Sequence, residues 1–222
     1  FALAGLGSLL VIFFLSKKLE NAAAALISTA ALALNNYFIW TARVGYQESI
    51  LLFFLLLGLL FFYKGFREDK YFIWSGIFFG LSFLSKYTFL GAIPAIAIYI
   101  FWRQKNIVFN KKFLLGCALF VIVSSPVLIY NMELYRYRGH FDVQFADLLG
   151  QSNHDWPLLT SRVGLPTFGR NALDIIFTLI NGYSWPYFLI FFTAIIIYIF
   201  TIYKKRNSFS LLPLLIFGSL VS

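Results

Sequence analysis

A short stretch between two apolar runs brings together a cation, an aromatic ring and a carboxylate. Arg43, Tyr46 and Glu48 lie within residues 43–48. A carboxylate in such a tight connection can bind or deprotonate a substrate hydroxyl. The structural alternative is a first-turn helix acid, which the helix dipole favours. We therefore take Glu48 as the candidate catalytic residue, and Arg43 and Tyr46 as candidate substrate-binding residues.

A lone lysine interrupts the next pair of apolar runs. Lys86 lies in the stretch 80–94, and the hydrophobic sequence resumes a few residues after it. A charge at the centre of a bilayer costs roughly 2.5–3.5 kcal/mol on insertion scales and less near the interface. Lys86 either snorkels to water at the end of a span or binds an anion such as a phosphate. The short connection favours the anion, so Lys86 is a candidate substrate-binding residue.

A third cluster is rich in tyrosine and arginine. Within residues 135–140, Arg136, Arg138 and His140 alternate with other side chains, two of them tyrosines. Aromatic and arginine residues are ordinary anchors at the lipid headgroups, but arginine forks and aromatic rings also recognise phosphates and sugars. Arg136, Arg138 and His140 complete the set of candidate substrate-binding residues.

Several kinds of site are absent from the sequence. His140, Asp142, His154 and Asp155 match no specific metal-ligand spacing, so no metal site is predicted. There is no glycine-rich nucleotide loop, no dinucleotide fingerprint, no HExxH and no GxSxG. Asp-x-Asp is missing too, which leaves no obvious site for a metal-bound nucleotide sugar. We therefore expect no cofactor.

The elements that must position these side chains are long apolar runs. The chain has 222 residues, of which 60% are hydrophobic, 21% aromatic and 12% charged. Soluble domains are about 45–50% apolar and about 25% charged. Lipid must therefore cover most of this surface, which excludes a soluble enzyme, a disordered chain and a disulfide-stapled module. Continuous apolar runs also argue against an outer-membrane barrel with alternating strands.

Charged clusters separate the runs into predicted membrane spans. The expected fold class is all-α, a polytopic transmembrane helical bundle with about seven to nine spans or partial spans. The runs cover residues 1–15, 22–41, 49–63, 71–85, 89–102, 113–130, a weaker 172–180, 183–203 and a last one from 209. We predict one transmembrane domain over 1–222, with an extracytoplasmic loop region at 131–182. The chain begins and ends within apolar runs, so we expect it to be a fragment of a longer protein.

Basic residues predict the orientation of the bundle. Four short loops hold 12 of the 18 lysines and arginines, and the positive-inside rule places them in the cytoplasm: 17–18, 64–70, 103–112 and 204–206. The net charge of +9 is thereby explained by anionic lipid rather than nucleic acid. The three candidate clusters fall on the opposite, outer face. We expect a multi-pass integral protein of a bacterial or archaeal cell membrane, or of the ER membrane.

The order of these motifs resembles that of a known enzyme family. An outer turn Arg43-x-Gly45-x-x-Glu48 is followed by GIFFGLSFLSKYTFLGAIP and then by a span ending SPVLIYN. Over about residues 22–140 this is similar to the dolichyl-phosphate-mannose-protein mannosyltransferases and the lipid A aminoarabinose transferases, within the GT-C superfamily of glycosyltransferases. The oligosaccharyltransferase signature WWDYG is absent, which disfavours that branch.

The resemblance implies an activity. Such enzymes pass a sugar, with inversion, from a polyprenyl phosphate lipid to a hydroxyl on the outer side of the membrane. The implied partners are a polyprenyl-phosphate sugar, an acceptor protein or glycolipid and membrane lipids, with no nucleic acid. No divalent metal is required if arginine and lysine stabilise the phosphate leaving group.

The resemblance also implies roles for single residues. Lys86 matches a lysine near the lipid phosphate, although it stands in Ser85-Lys86-Tyr87 where the family has Thr-Lys-Gly. Glu48 matches a position that is usually Asp in the aminoarabinose transferases, which implies acceptor or sugar binding. The family's principal catalytic carboxylate lies in the first outer loop, and we expect this chain to start after that loop.

Two other functions remain open from the sequence. A transporter or flippase of lipid-linked saccharides would carry ionisable residues near the bilayer midplane and a repeated half. In a non-catalytic membrane anchor subunit, the outer charges would only contact the lipid headgroups and would have no role in catalysis. The sequence shows no internal repeat and places its charges near the membrane faces, which favours the enzyme over the transporter.

Overall fold

The described part of the chain is a helical bundle. The computed structural model describes residues 1–142, 145 and 146, apart from the side chains of residues 102, 103 and 105. The helices are α1 (Ala2–Leu19), α2 (Ala22–Ala33), α3 (Asn36–Val44), α4 (Glu48–Gly65), α5 (Tyr71–Ser85), α6 (Ala92–Arg103) and α7 (Lys111–Arg138). Short 3-10 turns, Tyr87–Gly91 and Lys105–Phe109, precede α6 and α7. These residues contain no strand, and the all-α prediction is confirmed.

The described helices coincide in position with the first six predicted apolar runs. In the described part, α1, α4 and α7 are long and apolar enough to cross a membrane. Helices α2 and α3 form a fourth candidate span if the pair, bent by 60°, counts as one. Helix α5 and the Tyr87–Phe101 segment are apolar but shorter. The predicted runs at 172–180, 183–203 and from 209 lie outside the described residues, as does most of the predicted loop region.

Asparagine side chains mark where three of the helices begin. The Asn21 side chain accepts a hydrogen bond from the backbone N–H of Ala24 at 2.9 Å, and Asn35 accepts one from Phe38 at 2.9 Å. Asn110 caps α7 in the same way. Because a helix leaves its first N–H groups without intrahelical partners, such caps stabilise a new start. The cap at Asn35 accounts for the break between α2 and α3.

Helix α7 is longer than the sequence prediction. The polar loop expected from residue 131 is still helical as far as Arg138. Loss of hydropathy ends a membrane-embedded run but does not end a helix, and the stop comes at Gly139, whose φ of 75° is left-handed. Inside α7, Pro126 has no N–H for the carbonyl of Ile122. The Ser125 hydroxyl donates to that carbonyl at 2.7 Å, so the helix continues through the proline.

Helices α4 and α5 pack antiparallel, with two buried serines between them. The Ser75 hydroxyl donates to the carbonyl of Gly58 at 3.0 Å, and the Ser82 hydroxyl donates to the carbonyl of Leu51 at 3.0 Å. The two contacts are seven residues apart on both helices, which is about two helical turns. We call them the serine rungs. They determine the axial register of α4 against α5.

Helices α5 and α7 meet at glycines. A Cβ atom on Gly76 would overlap the backbone carbonyl of Gly116, and one on Gly116 would overlap the carbonyl of Phe72. Small residues allow the backbones of membrane helices to approach closely. Helix α5 is therefore held between α4 on one side and α7 on the other.

Polar contacts gather at the two ends of the bundle. At one end the Tyr63 hydroxyl donates to the carbonyl of Lys18 at 3.3 Å, and the Asn110 amide donates to Asp69 at 2.7 Å. These contacts join the basic loops that the sequence assigns to a common side. Lys70 lies in the same region, where a hydrogen bond from its ammonium to Glu68 raises its pKa. The opposite end carries the candidate site.

Candidate functional site

Glu48 and Lys86 form an ion pair although they are 38 residues apart in sequence. Glu48 is the first residue of α4, and Lys86 follows the last residue of α5. Because the serine rungs align α4 with α5, these two helix ends meet at the same face. The Glu48 and Lys86 side chains keep 26% and 25% of their surface exposed. The pair is therefore half-buried, with access from outside.

The ion pair joins two residues that the sequence analysis singles out separately. A paired carboxylate and ammonium compensate each other, which explains how both charges are tolerated beside apolar helices. The same groups are suited to chemistry, because an ammonium binds a phosphate and a carboxylate accepts a hydroxyl proton. Each group becomes available to a substrate once the other is displaced.

Three aromatic side chains form a row beside this pair. The ring centroids of Trp40 and Tyr46 are 4.8 Å apart, and those of Tyr37 and Trp40 are 6.1 Å apart. All three are exposed, Tyr37 by 43%, Trp40 by 48% and Tyr46 by 44%. The Tyr37 hydroxyl interacts electrostatically with both Glu48 and Lys86. We call these residues the aromatic row; of the three, Tyr46 alone is a predicted site residue.

Arg43 lies on α3 near the same end. It is exposed and lines a shallow pocket together with Asn36, Ile39, Trp40 and Val44. Trp40 belongs both to this pocket and to the aromatic row. Arg43 therefore lies one turn after Trp40 on α3, and its pocket is lined by α3 residues alone.

A buried asparagine ties the end of α7 to the residue after Lys86. The Asn131 amide nitrogen donates to the carbonyl of Val127 at 3.0 Å and lies 3.5 Å from the Tyr87 hydroxyl. Its amide oxygen accepts from the backbone N–H of Asp142 at 3.0 Å. Asn131 thus holds the segment after α7 close to the Lys86 connection. Asn131 is not among the predicted site residues, although a polar residue at the end of an apolar run is a usable signal.

Arg136, Arg138 and His140 follow Asn131 at the same end. Arg136 lies 3.9 Å from Glu133, one turn earlier on α7, and both are exposed. His140 shares a hydrogen bond of 2.9 Å between its Nδ1 and the carbonyl of Phe141. Arg136 and Arg138 therefore lie on the last turn of α7 and His140 just beyond it, in the segment that Asn131 holds near the Lys86 connection.

No metal-binding group is found in the described part of the chain, where no three His, Cys, Asp or Glu side chains lie together. His154 and Asp155 fall outside the described residues.

An apolar cleft lies between α5, α6 and α7. Its volume is about 280 Å³. Phe89, three residues after Lys86, is near one end of it, whereas Phe72 and Phe113 line it toward the basic end of the bundle. Its remaining lining includes Phe79, Ile93, Ile96, Cys117, Phe120 and Val121. The cleft therefore lies along residues 72–79 of α5, and Phe89 is its lining residue nearest in sequence to Lys86.

Comparisons with known proteins identify related sequences. The sequence profile of dolichyl-phosphate-mannose-protein mannosyltransferases matches residues 1–130. The chain is also 29% identical over 142 residues to YkcB of Bacillus subtilis (strain 168), a protein named as a candidate mannosyltransferase. That match covers 59% of this chain and 19% of the Bacillus protein, so the chain spans about a fifth of the length of this relative. No solved structure matches the chain.

Proposed function

Because the chain belongs to the dolichyl-phosphate-mannose-protein mannosyltransferase family, we propose that it is part of a membrane glycosyltransferase. The donor is a sugar linked to a polyprenyl phosphate, and the acceptor is a hydroxyl of a protein or glycolipid on the extracytoplasmic face. The observation that carries the proposal is the Glu48–Lys86 pair at the end of the bundle opposite the basic loops. The chain is an integral membrane protein, and its bacterial relative supports a bacterial cell membrane.

Lys86 is the proposed phosphate-binding residue. It follows the last residue of α5, at the end of the bundle opposite the basic loops, and its side chain is partly exposed. The apolar cleft begins near Phe89 and continues away from the site, which suits the hydrocarbon chain of the same donor. In this arrangement a single lipid molecule binds with its phosphate at Lys86 and its polyprenyl chain in the cleft.

Glu48 is the proposed catalytic carboxylate of this chain. In the reaction the acceptor oxygen bonds to the anomeric carbon while the bond from that carbon to the phosphate oxygen breaks. The hydroxyl proton passes to a carboxylate, and the negative charge of the leaving phosphate is stabilised by a cation. Glu48 accepts the proton or holds the acceptor, and Lys86 supplies the cation. A donor phosphate that takes Lys86 also releases Glu48 from the ion pair.

The positions of the charges support a transferase over a transporter. In the described helices, charged residues lie in the first or last turns or, on α7, beyond residue 132. A transport path for a charged headgroup would be expected to carry ionisable residues near the midplane.

The test is sugar transfer from polyprenyl-phosphate mannose by the full-length protein in detergent. Glu48→Gln keeps the shape of the side chain but removes the base, and we expect kcat to fall about 100-fold. Lys86→Ala should raise the KM for the donor about tenfold or more, because the phosphate loses its cation. Lys17→Ala, at the opposite end of the bundle, is the matched control and should leave both constants unchanged. Unchanged kinetics in both site variants would overturn these assignments.

A further inference from the structure

The aromatic row is preassembled beside the ion pair. Tyr37 and Trp40 are three residues apart on α3 and therefore share a face of the helix. Gly45, with a φ of 86°, ends α3 and turns the chain so that Tyr46 returns onto Trp40. The planes of Trp40 and Tyr46 differ by 31° at a centroid distance of 4.8 Å, so the two rings partly cover each other, and nearly half of each side chain remains exposed.

An interfacial anchor is the ordinary explanation for an exposed tryptophan in a membrane protein. Trp74 fits that explanation: it is 51% exposed and lies in the first turns of α5, near the basic end of the bundle. Trp40 is exposed to a similar extent but differs in its surroundings. It has tilted ring contacts with two tyrosines, whereas Trp74 stacks on Phe78, and the hydroxyl of one of these tyrosines, Tyr37, interacts with both charges of the ion pair.

The chemistry of the proposed donor places its sugar close to this row. The anomeric carbon is bonded directly to a phosphate oxygen, so a phosphate on Lys86 holds the sugar ring within a few ångströms of the ion pair. The C–H face of a pyranose is apolar and complements the electron-rich face of an aromatic ring. Its hydroxyls need polar partners, which the Tyr37 hydroxyl and Glu48 provide.

We propose that the aromatic row of Tyr37, Trp40 and Tyr46 binds the pyranose ring of the lipid-linked donor while Lys86 holds its phosphate. The row is then the part of the site that distinguishes a glycosylated polyprenyl phosphate from the bare lipid. This inference rests on the proposed function, because it uses the same donor and the same lysine.

The test measures binding of two probes, polyprenyl-phosphate mannose and sugar-free polyprenyl phosphate, to the full-length protein in nanodiscs. Trp40→Ala should weaken binding of the mannosylated lipid about fivefold, a magnitude typical of one lost aromatic stacking contact. Binding of the sugar-free lipid should not change. Lys86→Ala should weaken the binding of both lipids, and the matched control Trp74→Ala should change the binding of neither.

The outcomes separate the inference from the function on which it rests. If the wild-type protein binds neither lipid, both the proposed function and this inference are wrong. If the wild-type protein binds both lipids and Trp40→Ala weakens the binding of both equally, or of neither, the proposed role of the aromatic row is wrong while the proposed function stands. Because Trp40→Ala removes a large side chain, Trp40→Phe and Tyr46→Leu serve as milder variants, with thermal unfolding measured on each. A selective loss of mannosylated-lipid binding without a fall in unfolding temperature is expected for both.

Discussion

Glu48 and Lys86 depend on each other for a partner. Both lie at helix ends beside apolar side chains, and each has only about a quarter of its surface in contact with solvent. Removing one of them leaves a half-buried charge with no counterion, which costs more than removing both charges together. The two residues should therefore be energetically coupled even when no substrate is present.

A double-mutant cycle measures this coupling. We expect Lys86→Ala and Glu48→Gln each to lower the free energy of unfolding by about 1–2 kcal/mol. The double variant should lose less than the sum of the two, by about 1 kcal/mol, because neither charge is stranded. The measurement is denaturant or thermal unfolding of the purified protein in detergent. Strictly additive losses would show that the ion pair contributes nothing to stability.

At the residue scale, the sequence identifies charges better than it identifies contacts. Glu48 and Lys86 are conspicuous because each interrupts apolar sequence, but nothing in the sequence states that they meet. That contact requires the register of α4 against α5, which two ordinary serines determine. Trp40 and Asn131 are missed for a related reason: one resembles an interface anchor and the other the end of a span.

The elements of the bundle rely on close helix contacts at small residues. Gly116 has the backbone of Phe72 against it, so α5 and α7 touch without an intervening side chain at this level. Ala118 is on the same helix, two residues later, and is exposed. The two positions therefore share helix propensity and membrane depth but differ in the space available for a larger side chain.

Valine at these two positions should give opposite results. We expect Gly116→Val to cost about 3 kcal/mol or to abolish recovery of folded protein, because its Cβ meets backbone that has nowhere to move. Ala118→Val should change stability by less than about 0.5 kcal/mol. Folded yield and unfolding temperature after detergent extraction are the measurements. Similar values for the two variants would contradict the close approach of α5 and α7.

Hydropathy predicts the positions of the helices better than it predicts where they begin and end. Hydropathy correctly locates the first six apolar segments, because lipid requires long uninterrupted apolar helices. It does not detect that residues 22–41 contain a helix break, since Asn35 acts as a cap and hardly changes the average hydropathy. It also ends the sixth run at 130, whereas the backbone stays helical until Gly139. Caps and glycine stops act locally, and a window average obscures them.

At the scale of the whole molecule, charge is sorted between two ends. The described basic loops lie together at one end, and the Glu48–Lys86 pair lies at the other. If the positive-inside rule holds for this chain, the site faces away from the cytoplasm. The orientation can be measured without any assumption about the reaction.

Cysteine labelling tests the orientation in intact cells. The native cysteine, Cys117, is first replaced by serine, and single cysteines are then introduced by Glu20→Cys and Tyr137→Cys, both at exposed positions. A membrane-impermeant maleimide should label the variant at position 137 in intact spheroplasts. The variant at position 20 should be labelled only after permeabilisation. The reverse pattern would place the site in the cytoplasm and contradict the proposed face.

The serine rungs also have a mechanical consequence. Sliding α4 past α5 by one residue moves the backbones about 1.5 Å and lengthens both hydrogen bonds at once. When bilayer thickness changes, helices usually adapt by tilting, and two helices locked in this way must tilt as a unit. The spacing between Glu48 and Lys86 is therefore insulated from the thickness of the surrounding membrane. We expect a site built on such a pair to keep its geometry as the lipid composition of the cell changes.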